Sequence, residues 1–136
     1  MKPVFVDTSA LIALGNQRDN FNMQAKSIKR ELVKTQRKFI TTSLVIVEVC
    51  NVFSGLKFRS TAIEIVEGIN QSNKWIYIDV DKELMARGFK RFKQMRDKEW
   101  GLVDCVSMIV AEEYDSTDIF TNDSHFKQAG FNILLK

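Results

Sequence analysis

Along the whole chain, short apolar runs alternate with longer stretches of helical spacing. The runs Val4–Val6, Phe39–Thr42, Trp75–Asp79, Asp118–Thr121 and Asn132–Leu135 are rich in β-branched and aromatic residues and read as buried strands. Between them, Ser9–Gly15, Asn22–Gln36, Ser43–Ser54, Ser60–Gln71, Asp81–Met95, Leu102–Tyr114 and Ser124–Gln128 read as helices. Within Asp81–Met95, the residues Leu84, Met85, Phe89 and Phe92 keep three- and four-residue spacing, which predicts one apolar helix face. Ile63, Val66, Glu67 and Asn70 follow the same spacing less cleanly. Strands that alternate with helices predict an α/β fold with a parallel sheet covered on both faces.

At 136 residues the chain has the length of one ordinary domain, 1–136, with a single core. One proline, six scattered glycines and no low-complexity segment give no sign of a linker or a repeat. Lys2 is followed by only three apolar residues beyond Pro3 before Asp7 interrupts, which is not a signal-peptide pattern. No run approaches the roughly 18 uninterrupted apolar residues of a membrane span. Cys50 and Cys105 each lie in apolar helical runs and are expected as free thiols, which suits a reducing, cytoplasmic setting. The excess of Lys and Arg over Asp and Glu, 20 against 17, is too small to demand a polyanionic partner.

Placement of the acids changes this plain picture. Asp7 lies between Val4-Phe5-Val6 and Leu11-Ile12-Ala13-Leu14, Glu48 lies inside SLVIVEVCNVF, and Asp104 lies inside WGLVDCVSMIVA. Aspartate is seldom fully buried unless it is paired or binds a metal. Each acid has a plain alternative: Asp7 and Asp104 as helix-start caps, Glu48 in an internal hydrogen bond or salt bridge, and Asp123 as the cap of the helix in NDSHF. Taken together they are harder to explain that way. No basic residue stands within the apolar run around Asp7, Glu48 or Asp104, and clustered carboxylates repel and raise one another's pKa. A divalent cation relieves both costs. An all-oxygen donor set suits Mg²⁺ or Mn²⁺. Zinc fits poorly, because the only histidine is His125 and both cysteines look buried. His125 itself reads as a solvated or capping residue beside Asp123. In an open parallel sheet, ligands bind beyond the carboxyl ends of the strands, where strand order reverses. Asp7 and Asp123 follow the first and fourth strands, so they meet there if those strands are neighbours.

Four segments, VDTSALIAL, TTSLVIVEVCNVF, RDKEWGLVDCVSMIVA and FTNDSHFKQAGF, occur in the order in which they are found in a known family. The chain resembles the PIN-domain ribonucleases, particularly the VapC-type toxins of toxin–antitoxin pairs, over nearly its whole length. The resemblance implies an α/β/α sandwich with a parallel sheet of order 3-2-1-4-5. It also implies a metal site at Asp7, Glu48, Asp104 and Asp123, with hydroxyl support from Thr8, Ser9 and Thr121. RNA cleavage with Mg²⁺ or Mn²⁺, a small antitoxin that covers the acidic crevice, and a homodimer follow from the same source. The stretch Phe53–Phe58 and the helix after it are one candidate dimer surface.

Two basic runs offer phosphate contacts: Lys26, Lys29, Arg30, Lys34, Arg37 and Lys38, and Arg87, Lys90, Arg91, Lys93, Arg96 and Lys98. The second leads into Trp100 and Asp104, which makes Arg91, Arg96 and Lys98 the better RNA candidates, with Phe58 and Trp100 as candidate stacking residues. Other readings of an aspartate after the first strand fare worse. A haloacid-dehalogenase phosphatase needs an acid where Ser9 stands, and a response-regulator receiver needs an acidic pair ahead of Asp7. A free-standing RNA-processing nuclease and a non-catalytic PIN binding module remain as alternatives.

Overall fold

Three-residue runs of apolar side chains cannot form amphipathic strands, because they have no polar face to turn outward. Val4–Val6 accordingly forms β1 at the centre of the sheet, with all three side chains buried. The computed structural model describes residues 1–136. Helices α1 (Thr8–Gly15) and α2 (Asn22–Lys34) follow β1, then β2 (Phe39–Thr42), α3 (Ser43–Val52), α4 (Arg59–Gln71) and β3 (Trp75–Ile78). The chain continues through α5 (Lys82–Gln94), α6 (Leu102–Glu113), β4 (Asp118–Phe120), α7 (Ser124–Gln128) and β5 (Asn132–Ile133). All pairings are parallel and the strand order is β3-β2-β1-β4-β5, as the resemblance implies. β4 and β5 end one and two residues earlier than the apolar runs suggest. Thr121 and Leu135 still donate or accept across the sheet, in one hydrogen bond beyond the last paired residues.

Helix α6 explains an apolar run without amphipathic spacing. Every residue from Cys105 to Ala111 is buried, so this stretch is enclosed on all sides, and a sequence apolar but for Ser107 is what such a helix requires. Asp104 stands in the half-buried first turn of this helix, at its N-terminus. Cys105 is buried, Cys50 half-buried, and both are free thiols. No helix is long and apolar enough to cross a membrane.

The apolar face expected on α5 is corrected. Phe89 and Phe92 are 49% and 43% exposed and stack on each other at the surface. The face turned to α6 instead runs Leu84, Gly88, Arg91 and Met95. Two causes act together. A Cβ at Gly88 would overlap Val106 Cγ2, so only glycine lets the two helices approach so closely. Arg87 and Arg91 also reach Glu113 and Glu112 on α6. Helix α3 is likewise less enclosed than its sequence suggests: Val45, Ile46 and Val49 are buried, whereas Val47 and Val52 are more than half exposed.

Candidate metal centre

The β1–β4 register pairs Val6 with Phe120, so the next residues, Asp7 and Thr121, stand side by side beyond the strand ends. This is where strand order reverses. Asp7 occupies the N-cap position of α1, and its carbonyl accepts from the Ala10 and Leu11 amides, but its carboxylate makes no cap bond. It turns into the crevice, where the Thr121 hydroxyl donates to Oδ2 at 2.8 Å. A short relay holds that hydroxyl in place. The Asp123 amide donates to Thr121 Oγ1 at 3.1 Å, and the Asn122 amide donates to Ser9 Oγ at 3.1 Å. Ser9 and Thr121 hydroxyls lie 2.9 Å apart. Because the single Thr121 proton goes to Asp7, Ser9 is the donor in that pair. From the first turn of α1, the Thr8 hydroxyl donates to Glu48 Oε1 on α3. The three hydroxyls expected to support the site are all engaged with it.

Asp7, Glu48, Asp104 and Asp123 line one crevice of about 740 Å³. Within it the acids differ. Asp7 is 5% exposed, and no Lys or Arg pairs with it. Burial is the main reason its pKa is pushed up from 3.8 to about 7. The Thr121 hydroxyl and Thr8 amide pull it down, and the charges of Asp104 and Asp123 add a smaller upward push. Desolvation therefore outweighs the like-charge crowding expected from the sequence, and Glu48 takes no part in it. Glu48, Asp104 and Asp123 are half-buried at the crevice wall. Asp104 also accepts from the Gly101 amide at 3.0 Å, and Asp123 caps α7 by accepting from the His125 amide at 2.9 Å. The helix-start roles weighed for these two are real, and they coexist with a position on the crevice.

His125 departs most from its sequence reading. Its Nδ1 lies 3.0 Å from Asp104 Oδ2 and 3.4 Å from Asp123 Oδ1. The Asp104 hydrogen bond, supported by the nearby charges of Asp123 and Glu99, raises its pKa above the usual imidazole value, against the opposing effect of burial. Asp104, Asp123 and His125 each offer a ligand atom within 4.8 Å of the others. Asp7 and Glu48 line the same crevice outside this close group. The signal was present in NDSHF, where an acid and an imidazole lie two positions apart at a helix start. What the sequence does not reveal is that α6 brings Asp104 to the same ring.

The basic residues are distributed differently. Arg91 makes a bidentate pair with Glu112, at 2.9 and 2.8 Å, so it does not stand free in solvent as its spacing suggests. Arg96 is exposed, with its Nε bonded to the Lys93 carbonyl, and Lys98 lies 3.4 Å from Asp97. Trp100 is 7% exposed and its Nε1 donates to Gln128 at 2.9 Å, which removes it as a base-stacking platform. It ties the segment before α6 to α7, and so holds Asp104 against Asp123 and His125. Phe58 is half-buried and stacked on Phe53, with Lys57 over its ring.

The donor set fits a divalent cation. One carboxylate is almost fully desolvated without a cationic partner, two more converge with an imidazole, and a fourth closes the wall. Residues 4–132 match the PIN domain family. The chain is a PIN-domain protein. No curated protein matches it closely. Among solved structures, this PIN domain is similar to VapC20 of Mycobacterium tuberculosis, described as a sarcin–ricin loop cleaving toxin, with 23% identity and a TM-score of 0.81 over 94% of this chain and 95% of that one. It is also similar to FitAcB of Neisseria gonorrhoeae, with 14% identity and a TM-score of 0.67 over 96% of each chain. VapBC2 of Rickettsia felis, solved on a DNA fragment from its promoter, is similar at 16% identity with a TM-score of 0.65, again over 96% of each. At such identities the likeness speaks for the fold.

Proposed function

We propose that this PIN domain is a metal-dependent endoribonuclease and the toxin of a toxin–antitoxin pair. The observation that carries the reading is Asp7: a buried carboxylate with no cationic partner, aimed into a crevice that Glu48, Asp104 and Asp123 also line. A helix cap needs no such desolvation, and this side chain does not cap. Asp7, Asp104 and Asp123 would hold Mg²⁺ or Mn²⁺, with Glu48 as a ligand or as the group that orients and deprotonates water. When bound, the cation supplies an activated water near neutral pH and charge for the scissile phosphate. The chain's own part is orientation. Thr121 fixes Asp7, Ser9 fixes Thr121, and Thr8 directs Glu48 toward the crevice mouth. Retention of four acids and their hydroxyl supports favours a catalytic protein over a binding module.

Similarity to VapC20, which is described as a toxin, supports the toxin reading, and a small antitoxin partner in the cytoplasm follows from that reading. An Arg or Lys of that partner would supply in the crevice the charge a metal otherwise brings. The homodimer expected for such a toxin finds exposed apolar groups at the α3–α4 corner, where Val52 is 59% and Leu56 95% exposed. Phe53, placed in that surface from the sequence, points into the core. The deciding assay is RNA cleavage by the purified chain in excess EDTA, and again with Mg²⁺ or Mn²⁺ restored. Cleavage that persists in EDTA removes the metal mechanism, and no cleavage under any metal returns the chain to the class of binding modules.

A further inference from the structure

The crevice contains one nitrogen that a carboxylate-only site does not need. His125 is half-buried, and both its backbone and its ring are held at the crevice. Its own backbone amide donates to Asp123 Oδ1, and its Nδ1 meets Asp104 Oδ2. Two donors that occupy adjacent corners of an octahedron about 2.1 Å in radius are separated by about 3 Å. The Nδ1–Asp104 and Nδ1–Asp123 separations, 3.0 and 3.4 Å, match that edge. All three ligand atoms lie within 4.8 Å of one another, so His125 Nδ1 can take a corner adjacent to each carboxylate on a single octahedral ion without rearrangement of the backbone. Each carboxylate oxygen spends one lone-pair direction on a backbone amide, Gly101 or His125, and the second direction of Asp104 Oδ2, which faces His125 Nδ1, is the one an ion would take over.

We infer that His125 is a direct ligand of the divalent ion, through Nδ1, and that it biases the site toward Mn²⁺ over Mg²⁺. Imidazole is a good ligand for transition metals, whereas Mg²⁺ takes oxygen donors and keeps its waters. Nothing else in the crevice discriminates between the two ions, because every other donor is an oxygen. Without a cation the same nitrogen hydrogen-bonds Asp104, so the ring is already oriented when the ion arrives. This rests on the reading of the crevice as a cation site, and the experiment separates the two.

Pulsed electron paramagnetic resonance on the intact chain loaded with one equivalent of Mn²⁺ reports directly bound nitrogen without any substitution. The expected spectrum carries the hyperfine modulation of one imidazole nitrogen, which disappears in His125→Asn. In parallel, Mn²⁺ and Mg²⁺ affinities of both proteins are measured by calorimetry. His125→Asn is expected to lower Mn²⁺ affinity about 10-fold or more, with a smaller loss for Mg²⁺, so that the Mn²⁺/Mg²⁺ ratio falls. Bound Mn²⁺ with no nitrogen coupling, or coupling that survives in His125→Asn, overturns the assignment of His125 and leaves the nuclease reading standing. A parent chain that binds no Mn²⁺ at all overturns both.

Discussion

The crevice beyond β1 and β4 and the outer face of α5 both stand out in the sequence, and only in the crevice do the residues come together as the sequence suggests. In the crevice, the signal is a residue out of place: an acid among apolar neighbours, which needs a partner wherever the fold puts it. On α5, the signal is a period, and a period says which residues share a face without saying what that face meets. Phe89 and Phe92 share a face, but it is turned outward, while Arg91 takes the inward position and pairs with Glu112. Chemical misfits travel well from sequence to structure. Periodicity on a charged helix depends on what the neighbouring helix offers.

The strongest way to break this contrast is to make Asp7 an ordinary cap. Asn caps about as well as Asp, so a capping role predicts that Asp7→Asn keeps both stability and activity. A ligand role predicts cleavage reduced to background and loss of most of the stabilisation that saturating Mg²⁺ or Mn²⁺ gives the parent, because a ligand stabilises only as it binds the native state. In EDTA at neutral pH, Asp7→Asn is expected to melt at an equal or higher temperature, since it removes a desolvated charge. Melting curves across a metal titration check all three. A variant stabilised by metal as much as the parent, with activity intact, reduces Asp7 to a cap.

A second test reads the same carboxylate through pH. With the pKa of Asp7 raised from 3.8 to about 7, the folded metal-free chain holds a proton that the unfolded chain has already released. The stability Asp7 contributes is therefore complete below about pH 4, falls as pH rises, and is gone above about pH 7, a loss of about 4 kcal/mol at most. His125, whose pKa is also raised, adds a loss of the same sign at and above the usual imidazole range. The difference in unfolding free energy between parent and Asp7→Asn, in EDTA, isolates the lower window. It is expected to favour the parent at acid pH and the variant near pH 7. A flat difference means that Asp7 is hydrated.

Thr121→Val sharpens the comparison without touching an acid. It keeps the volume, removes the donor to Asp7 Oδ2, and leaves Ser9 and the Asp123 amide without their acceptor. A loss of about 1–3 kcal/mol in stability is expected from the unpaired groups. Metal affinity is expected to fall about 10–100-fold, as for other residues that orient ligands. Isothermal titration with Mn²⁺ and a denaturant curve test the two parts separately. Unchanged affinity would make the hydroxyl relay a matter of folding alone.

The five strands, the seven helices and the acids of the crevice were legible because each rests on local sequence: short apolar runs, helical spacing, and charges that interrupt them. The strand order came from the family resemblance, since nothing local fixes which strand lies beside β1. The ring partner of His125 was out of sight for a related reason. Its neighbour in sequence, Asp123, explains it as part of a helix start, and only the packing of α6 against α7 brings Asp104 to its ring. Trp100 reads as a candidate stacking residue because it sits in a polar, Gly-flanked stretch. Its partner, Gln128, is 28 positions away.

The smallest expected effect concerns α5 and the segment after it, and asks which of their cations would face RNA if the proposed activity holds. Arg91 is satisfied within the protein, at an ion pair whose two side chains are 25% and 50% exposed. Arg91→Ala is therefore expected to cost roughly 0.5–1 kcal/mol of stability, the range of a well-formed but solvent-screened pair. RNA affinity should hardly change. Arg96 and Lys98 stand beside the segment that enters the crevice at Gly101, and Lys98 has only an adjacent, exposed aspartate for company. The double substitution Arg96→Ala with Lys98→Ala is expected to leave melting within experimental error and to weaken RNA binding. The slope of log affinity against log salt should fall by about 1.4, if each cation contacts one phosphate of a single strand. Binding is best measured on a catalytically silent background, Asp104→Asn, so that cleavage does not consume the probe. If Arg91→Ala flattens the slope and the double substitution does not, the Glu112 pair opens on binding and the RNA runs along α5 itself. If neither does, the strand enters from the other side of the crevice, past α1 and α3.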